Sequence, residues 1–234
     1  MVPGTYTSIT TAAANGIQYV GAGTVNGVDG GVNSTITWTY PSDVQTNDVL
    51  VLIAHEDDTG AHASWPPAGW TNIYTATTGS MGFWLRVAYL VYSSGSSVTI
   101  NTNGCDHIFG CITAWRGVNT SSVLDGSMTT KLDKTYPSPN VFNFSNVTTT
   151  QANSFVFNVV GHDIDTSTAS VHWDTNTSLT NPVEYYDIST QLGWNGGYSL
   201  YGGIKSTAGT VNNATGYVKA SSYKRIVAWA FKAA

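Results

Sequence analysis

An almost unbroken apolar run that ends in a histidine and acidic residues occurs twice in this chain. Asp48-Val-Leu-Val-Leu-Ile-Ala-His55-Glu-Asp-Asp-Thr59 is echoed by Ser154-Phe-Val-Phe-Asn-Val-Val-Gly-His162-Asp-Ile-Asp-Thr166. Ile112-Thr-Ala-Trp115 is echoed by Ile226-Val-Ala-Trp229, with Trp84 and Trp194 falling between the two kinds of segment. A period of roughly 110 residues is too long for a solenoid repeat and short for two large domains, so it predicts two copies of one multi-strand unit. Short apolar runs bounded by turn residues are the pattern of strands buried on both faces. Duplication shapes a scaffold, whereas an active site usually needs asymmetry, which tilts the reading toward a structural or binding protein.

Composition agrees with strands. Only 10% of the residues are charged, and Glu56 and Glu184 are the only glutamates, against about 25% charged residues in an average domain. Thr, Ser, Asn and Gly carry the polar surface, and the strand formers Thr, Tyr, Val, Ile and Trp are plentiful. With 234 residues the chain is long enough to bury about 70% of its unfolded surface. The net charge is −5 and no basic cluster extends beyond Lys224-Arg225, so a nucleic-acid partner is not expected. No run approaches the ~18 apolar residues of a membrane span, and a membrane partner is not expected either. Met1 to Thr10 has neither a basic nor an apolar signal region, so synthesis in a cytoplasm is expected. Cys105 and Cys111 lie outside the usual metal-clip spacing. On one strand spanning 106–116 they would share a face about 20 Å apart, too far for a disulfide, so two buried thiols are expected.

Along the chain, residues 1–15 read as an extended N-terminal arm. Residues 17–20 form a short strand, and 21–31 a glycine-rich loop with turn signals at Asn26-Gly27 and Asp29-Gly30. Strands follow at 35–40, 49–54, 71–76, 83–92, 98–100 and 107–116. Residues 117–140 read as a long connector. The second unit then matches the first at 155–160, 197–205 and 225–231. No amphipathic helix is predicted. The expected fold is all-β, a jelly-roll-like β-sandwich built from two related halves. It forms a single domain over 16–234, with pseudo-repeats at about 36–125 and 141–234.

Four motifs occur in the order Pro41-Ser-Asp-Val-Gln-Thr-Asn-Asp-Val-Leu50, Pro67-Ala-Gly-Trp-Thr71, Arg86-Val-Ala88 and Ala114-Trp-Arg-Gly-Val-Asn119. In this the stretch from Ile17 to Asp125 resembles a β-sandwich module of tailed-phage and prophage virion proteins. Asn47 stands where that pattern usually has glycine, a departure compatible with the same turn. The resemblance implies a virion structural protein of a decoration or tail-appendage type. Its partners would be the major capsid protein or other virion proteins, in a homo-oligomeric arrangement, and its location the virion. The motif residues also have packing roles. Gly69 permits a tight turn before Trp70, and Arg116 at a strand end is placed to cap carbonyls or pair with Asp125.

For chemistry, the acidic strand ends offer His55 and Asp57, then His162 and Asp163, as metal-ligand candidates. Neighbouring side chains on a strand point to opposite faces, so a shared ion is not expected. There is no EF-hand loop, H-E-x-x-H, G-x-S-x-G or phosphate-binding glycine loop, and no carboxylate pair of glycosidase type. The sequence predicts no enzyme and no cofactor. Trp65, Trp173, Tyr185 and Trp194 lie in or beside predicted loops and are candidates for stacking on glycan. The expected function is a tailed-phage virion structural protein that decorates or cements the head surface. The rivals are a tail-tip receptor-binding protein recognising host glycan and a bacterial carbohydrate-binding or adhesion module.

Overall fold

The computed structural model describes residues 16–29, 34–57, 63–76, 82–133, 140–144, 146–164, 170–190, 196–212, 214–220 and 222–234. The expected arm, residues 1–15, lies outside them. Among the described residues there is no helix. The strands of the first part are β1 (Gln18–Ala22), β2 (Asn26–Asp29), β3 (Thr35–Thr39), β4 (Val49–Asp57), β5 (Thr71–Thr75), β6 (Phe83–Val91), β7 (Ser97–Asn101) and β8 (His107–Arg116). Those of the second are β9 (Thr129–Asp133), β10 (Val141–Asn143), β11 (Val147–Thr149), β12 (Ser154–His162), β13 (Val171–Trp173), β14 (Thr180–Thr190), β15 (Gly196–Lys205), β16 (Gly209–Val211), β17 (Thr215–Val218) and β18 (Lys224–Phe231).

Two large antiparallel sheets pack face to face. One has the order β1-β8-β4-β6-β5, with β2 also on the β8 edge; the other has the order β14-β15-β12-β18-β9. A small sheet of β3 and β7 covers the outer face of the first. The pair β11-β16 and the trio β10-β17-β13 cover the outer face of the second. The result is sandwich-like packing in four layers, with three apolar cores between them.

Strand periodicity explains how one chain fills three cores. Alternate residues of a strand face opposite sides. Val49, Val51 and Ile53 of β4 therefore enter the central core, while Leu50, Leu52 and Ala54 pack under β3 and β7. Likewise Phe155, Phe157 and Val159 of β12 face the centre, while Val156 and Val160 face the outer small sheets. This double burial is why both runs read as almost continuously apolar, with Asn158 the polar exception in the second. In the centre, Trp115 lies 4.7 Å edge-on to Phe157, which stacks on Trp229 at 4.8 Å. The echoed tryptophans thus meet through one ring. Burying a large apolar side chain of this kind contributes about 1.5–3 kcal/mol.

The stretch 21–31 is less of a loop than its glycines suggest. Residues 26–29 form β2, paired with β8. A Cβ on Gly27 would come within 2.7 Å of the Phe109 Cβ, so this glycine serves close strand approach rather than a turn. The connector 117–140 contains β9, and Leu124 bridges to Phe231. Both cysteines are buried, as expected, and no disulfide joins them. However, Cys105 precedes β8 and packs in the core under β3-β7, whereas Cys111 faces the central core. They lie on opposite sides of the sheet because the chain turns through residues 102–105 before the strand begins.

Candidate functional site

Ionisable side chains are concentrated at one end of the sandwich, where β4 and β12 finish and β6, β8, β15 and β18 begin. His55, Glu56, Arg86, His107, His162, Lys224 and Arg225 are all buried there. Charge is normally excluded from such a position unless it is paired or neutralised, and the structure uses both devices.

The His55 ring lies between the large sheets, stacked 4.8 Å from Phe83 and 5.0 Å from Phe109. Its Nε2 is 3.2 Å from the carbonyl oxygen of His162, which makes Nε2–H the donor. Burial, reinforced by the nearby His162, drives the His55 pKa well below the usual imidazole value. Gly196 makes this contact possible: it has φ +146°, and a Cβ there would lie 2.6 Å from the His55 ring and 2.7 Å from the His162 oxygen.

His162 does not mirror His55. An extra residue, Gly161, shifts it one position along β12, and a one-residue shift moves a side chain to the opposite face. Its ring therefore points to the outer side. Nδ1 accepts the Ile164 N–H at 3.2 Å, and Nε2 is 2.7 Å from Ser170 Oγ. With Nδ1 accepting, the proton sits on Nε2 and is donated to the serine. A serine nucleophile needs the reverse polarity, with the ring accepting the hydroxyl proton. Burial and the Lys224 charge lower the His162 pKa to about 3.

The charged groups are tied down as well. Glu56 accepts from Arg86 Nε and from Ala63 N–H at 2.9 Å. The Arg86 guanidinium lies over the rings of Trp65 (5.9 Å) and Trp84 (5.6 Å). Arg225 on β18 donates to the Phe83 carbonyl of the facing sheet at 2.9 Å, and Lys224 reaches Asp133 at 3.4 Å. Asp163 Oδ1 accepts the Tyr223 N–H at 3.0 Å.

Of the four metal-ligand candidates, the three whose side chains are described are not brought together. His55 faces the central core, His162 faces outward and Asp163 caps backbone; the Asp57 side chain lies outside the described residues. Among the described residues no three His, Cys, Asp or Glu side chains form a metal-holding group.

The expected glycan-stacking residues are mostly structural. Trp173 is 8% exposed and packs against Phe142, Phe144 and Tyr201, with its Nε1–H donated to Ser199 at 2.6 Å. It belongs to β13 rather than to a loop. Tyr185 lies in the long edge strand β14, half-buried against Tyr19, Trp115 and Phe155. Trp65 is half-buried, donates to Asn72 at 2.9 Å and carries Arg86 on its ring. Trp194 lies outside the described residues.

At the opposite end, the first and last of the four motifs interlock. Arg116 makes a bidentate pair with Asp48 (2.9 and 2.8 Å) and donates to the Asp43 carbonyl at 3.1 Å. It does not pair with Asp125, which instead accepts from Thr150 and Ser154. Two adjoining open depressions of about 480 and 460 Å³ flank this end. They share Thr120 and Ser121 and hold no converging ionisable set beyond the Asp48–Arg116 pair.

Sequence reasoning missed one surface. Among the described residues the exposed large apolar side chains are Met128, Val141 and Tyr217, and the last two are direct neighbours across β10 and β17. The alternation Thr215-Gly-Tyr-Val218, with Tyr217 out of phase with buried Gly216 and Val218, was the available signal.

No family model matches the chain, and comparison with curated proteins and with solved structures gives no match.

Proposed function

We propose that this chain is a structural protein of a tailed-phage virion, a head-decoration or cement subunit that works through its surfaces and carries out no catalysis. The observation that carries the reading is the fastening of the first phage-like motif to the last. Asp48 of the first motif is clamped by Arg116 of the last, so their chemistry is spent on closing the sandwich. His55 and His162 point the same way, since burial disfavours the charged form of both and they are engaged with backbone and serine. What remains for function is the outer surface and the segments that lead from it.

Within this proposal the fold is two related halves, each wound in a jelly-roll manner. The strand orders β8-β4-β6-β5 and β18-β12-β15-β14 support it, because each set uses its strands in the same chain sequence. Residues 1–15 serve as the arm that reaches a neighbouring capsid subunit.

Quantitative mass spectrometry of purified virions tests the reading. Decoration of an icosahedral head predicts on the order of hundreds of copies per particle. A few copies would move the protein to the tail tip, and none would remove it from the virion. Removing residues 1–14 should leave the melting temperature unchanged and weaken binding to undecorated heads.

A further inference from the structure

We propose that the outer face of β10-β17-β13 is a carbohydrate-binding platform, with Tyr217 and His172 stacking on sugar rings. Strand register places Val141 opposite Tyr217, and Tyr217 opposite His172. The three form one row across three strands, all exposed, with Tyr217 at 45% and Val141 at 60%. The Tyr217 and His172 rings lie 4.8 Å apart, inclined by 31°, so they overlap in part and leave to solvent their rims and the faces turned away from each other. Inter-strand spacing makes the row about 10 Å long, the span of a disaccharide.

A second row runs beside the first. Asn143 lies opposite Thr215, and Thr215 donates to Asp174 Oδ2 at 2.8 Å. Lys131 donates to Asn143 Oδ1. An apolar row of rings edged by amide, hydroxyl, carboxylate and ammonium groups matches the two sides of a pyranose. The C–H face of the sugar covers the aromatic carbons, and its hydroxyls meet directional donors and acceptors.

The size of the patch selects the occupant. A stable protein interface buries about 800 Å² on each partner, far more than one row of three side chains supplies. The platform is also rigid. Directly beneath it, Phe142 and Trp173 pack 5.0 Å apart in the outer core, so the exposed rings sit on an ordered layer and little freedom is lost on binding. The fold does not require the exposure: the outward residues of β3 and β7 are Thr35, Thr37, Thr39, Ser97, Thr99 and Asn101, all polar and exposed.

The full-length protein should be titrated calorimetrically, and screened on an array, with α- and β-linked oligosaccharides of glucose, galactose and N-acetylhexosamines. Binding to at least one class is expected, weakened about tenfold or more by Tyr217→Ala and by a smaller factor by His172→Ala. Thr99→Ala on the other small sheet should leave the affinity unchanged. Circular dichroism melting of Tyr217→Ala controls for folding, and Tyr217→Phe should keep most of the affinity if stacking dominates. Absence of binding to every probe, or binding indifferent to Tyr217→Ala, overturns the proposal. So does a concentration-dependent oligomer that Tyr217→Ala disperses, which would make the face a protein contact.

Discussion

The outer face of β3-β7 and the outer face of β10-β17-β13 occupy comparable positions, each on the side of its large sheet turned away from the other. They are built differently. The first is a lawn of threonine, serine and asparagine, with Thr37 and Thr99 hydrogen-bonded across the strands at 2.7 Å. The second sets valine, tyrosine and histidine in solvent. Beneath both, the inward residues are the same in kind: Ile36, Trp38 and Ile100 on one side, Phe142, Trp173 and Val218 on the other. The inward row is demanded by packing, while the outward row is free to vary. The proposed sugar platform rests on this departure from the all-polar solution.

The comparison can be broken most severely at the centre. Trp229→Ala and Trp115→Ala should each cost about 3–5 kcal/mol and shift one cooperative urea transition. Two separated transitions would show that the sheets are energetically independent, and the symmetric packing argument would fail. Glu56→Gln strands the buried Arg86 and should cost about 3 kcal/mol. A loss well below that, measured by the same titration, would mean that the guanidinium finds other partners.

The two histidines sharpen the comparison by their pH dependence. His162 has a folded pKa of about 3, below its unfolded value. Between these limits the unfolded chain binds a proton that the native state refuses, so stability falls as pH drops below about 6.5. Asp187 works in the opposite sense: burial raises it to about 6, so its contribution weakens as pH rises. Comparing wild type with His162→Asn cancels the carboxyls. The stability gap should change by up to about 1.4 kcal/mol per pH unit between pH 4 and 6. A constant gap would contradict a neutral buried imidazole. The smallest effects belong to the outer faces. Thr37→Ala should cost under about 1 kcal/mol, and Tyr217→Ala about 0.5 kcal/mol or less; a larger melting shift for Tyr217→Ala would give that ring a folding role.

Much of the architecture is legible in the residues. Nearly continuous apolar runs at 49–54 and 155–160 announce strands buried on both faces, and the alternation in 35–39 announces a half-exposed one. The glycine-rich 21–31 was misleading, because close strand approach and tight turns select the same residue. The connector 117–140 concealed β9, since Thr129–Asp133 carries little apolar alternation and is held by its pairing with β18. At the candidate sites, residue type suggested a chemistry, and the geometry of His55, His162, Asp163 and Trp173 shows packing and backbone partners instead. A tryptophan such as Trp173 has the same letter whether it stacks on sugar or on Tyr201.

By itself the sequence determined that the chain is all-β and that its central strands are buried on both sides, because strand periodicity is a local property. Tertiary structure decided what each histidine meets, stacking His55 on Phe83 and Phe109 and setting His162 against Ser170. It also decided that Val141, His172 and Tyr217 form one row. That row exists only through the register of three strands distant in the chain, and local pattern does not encode such register.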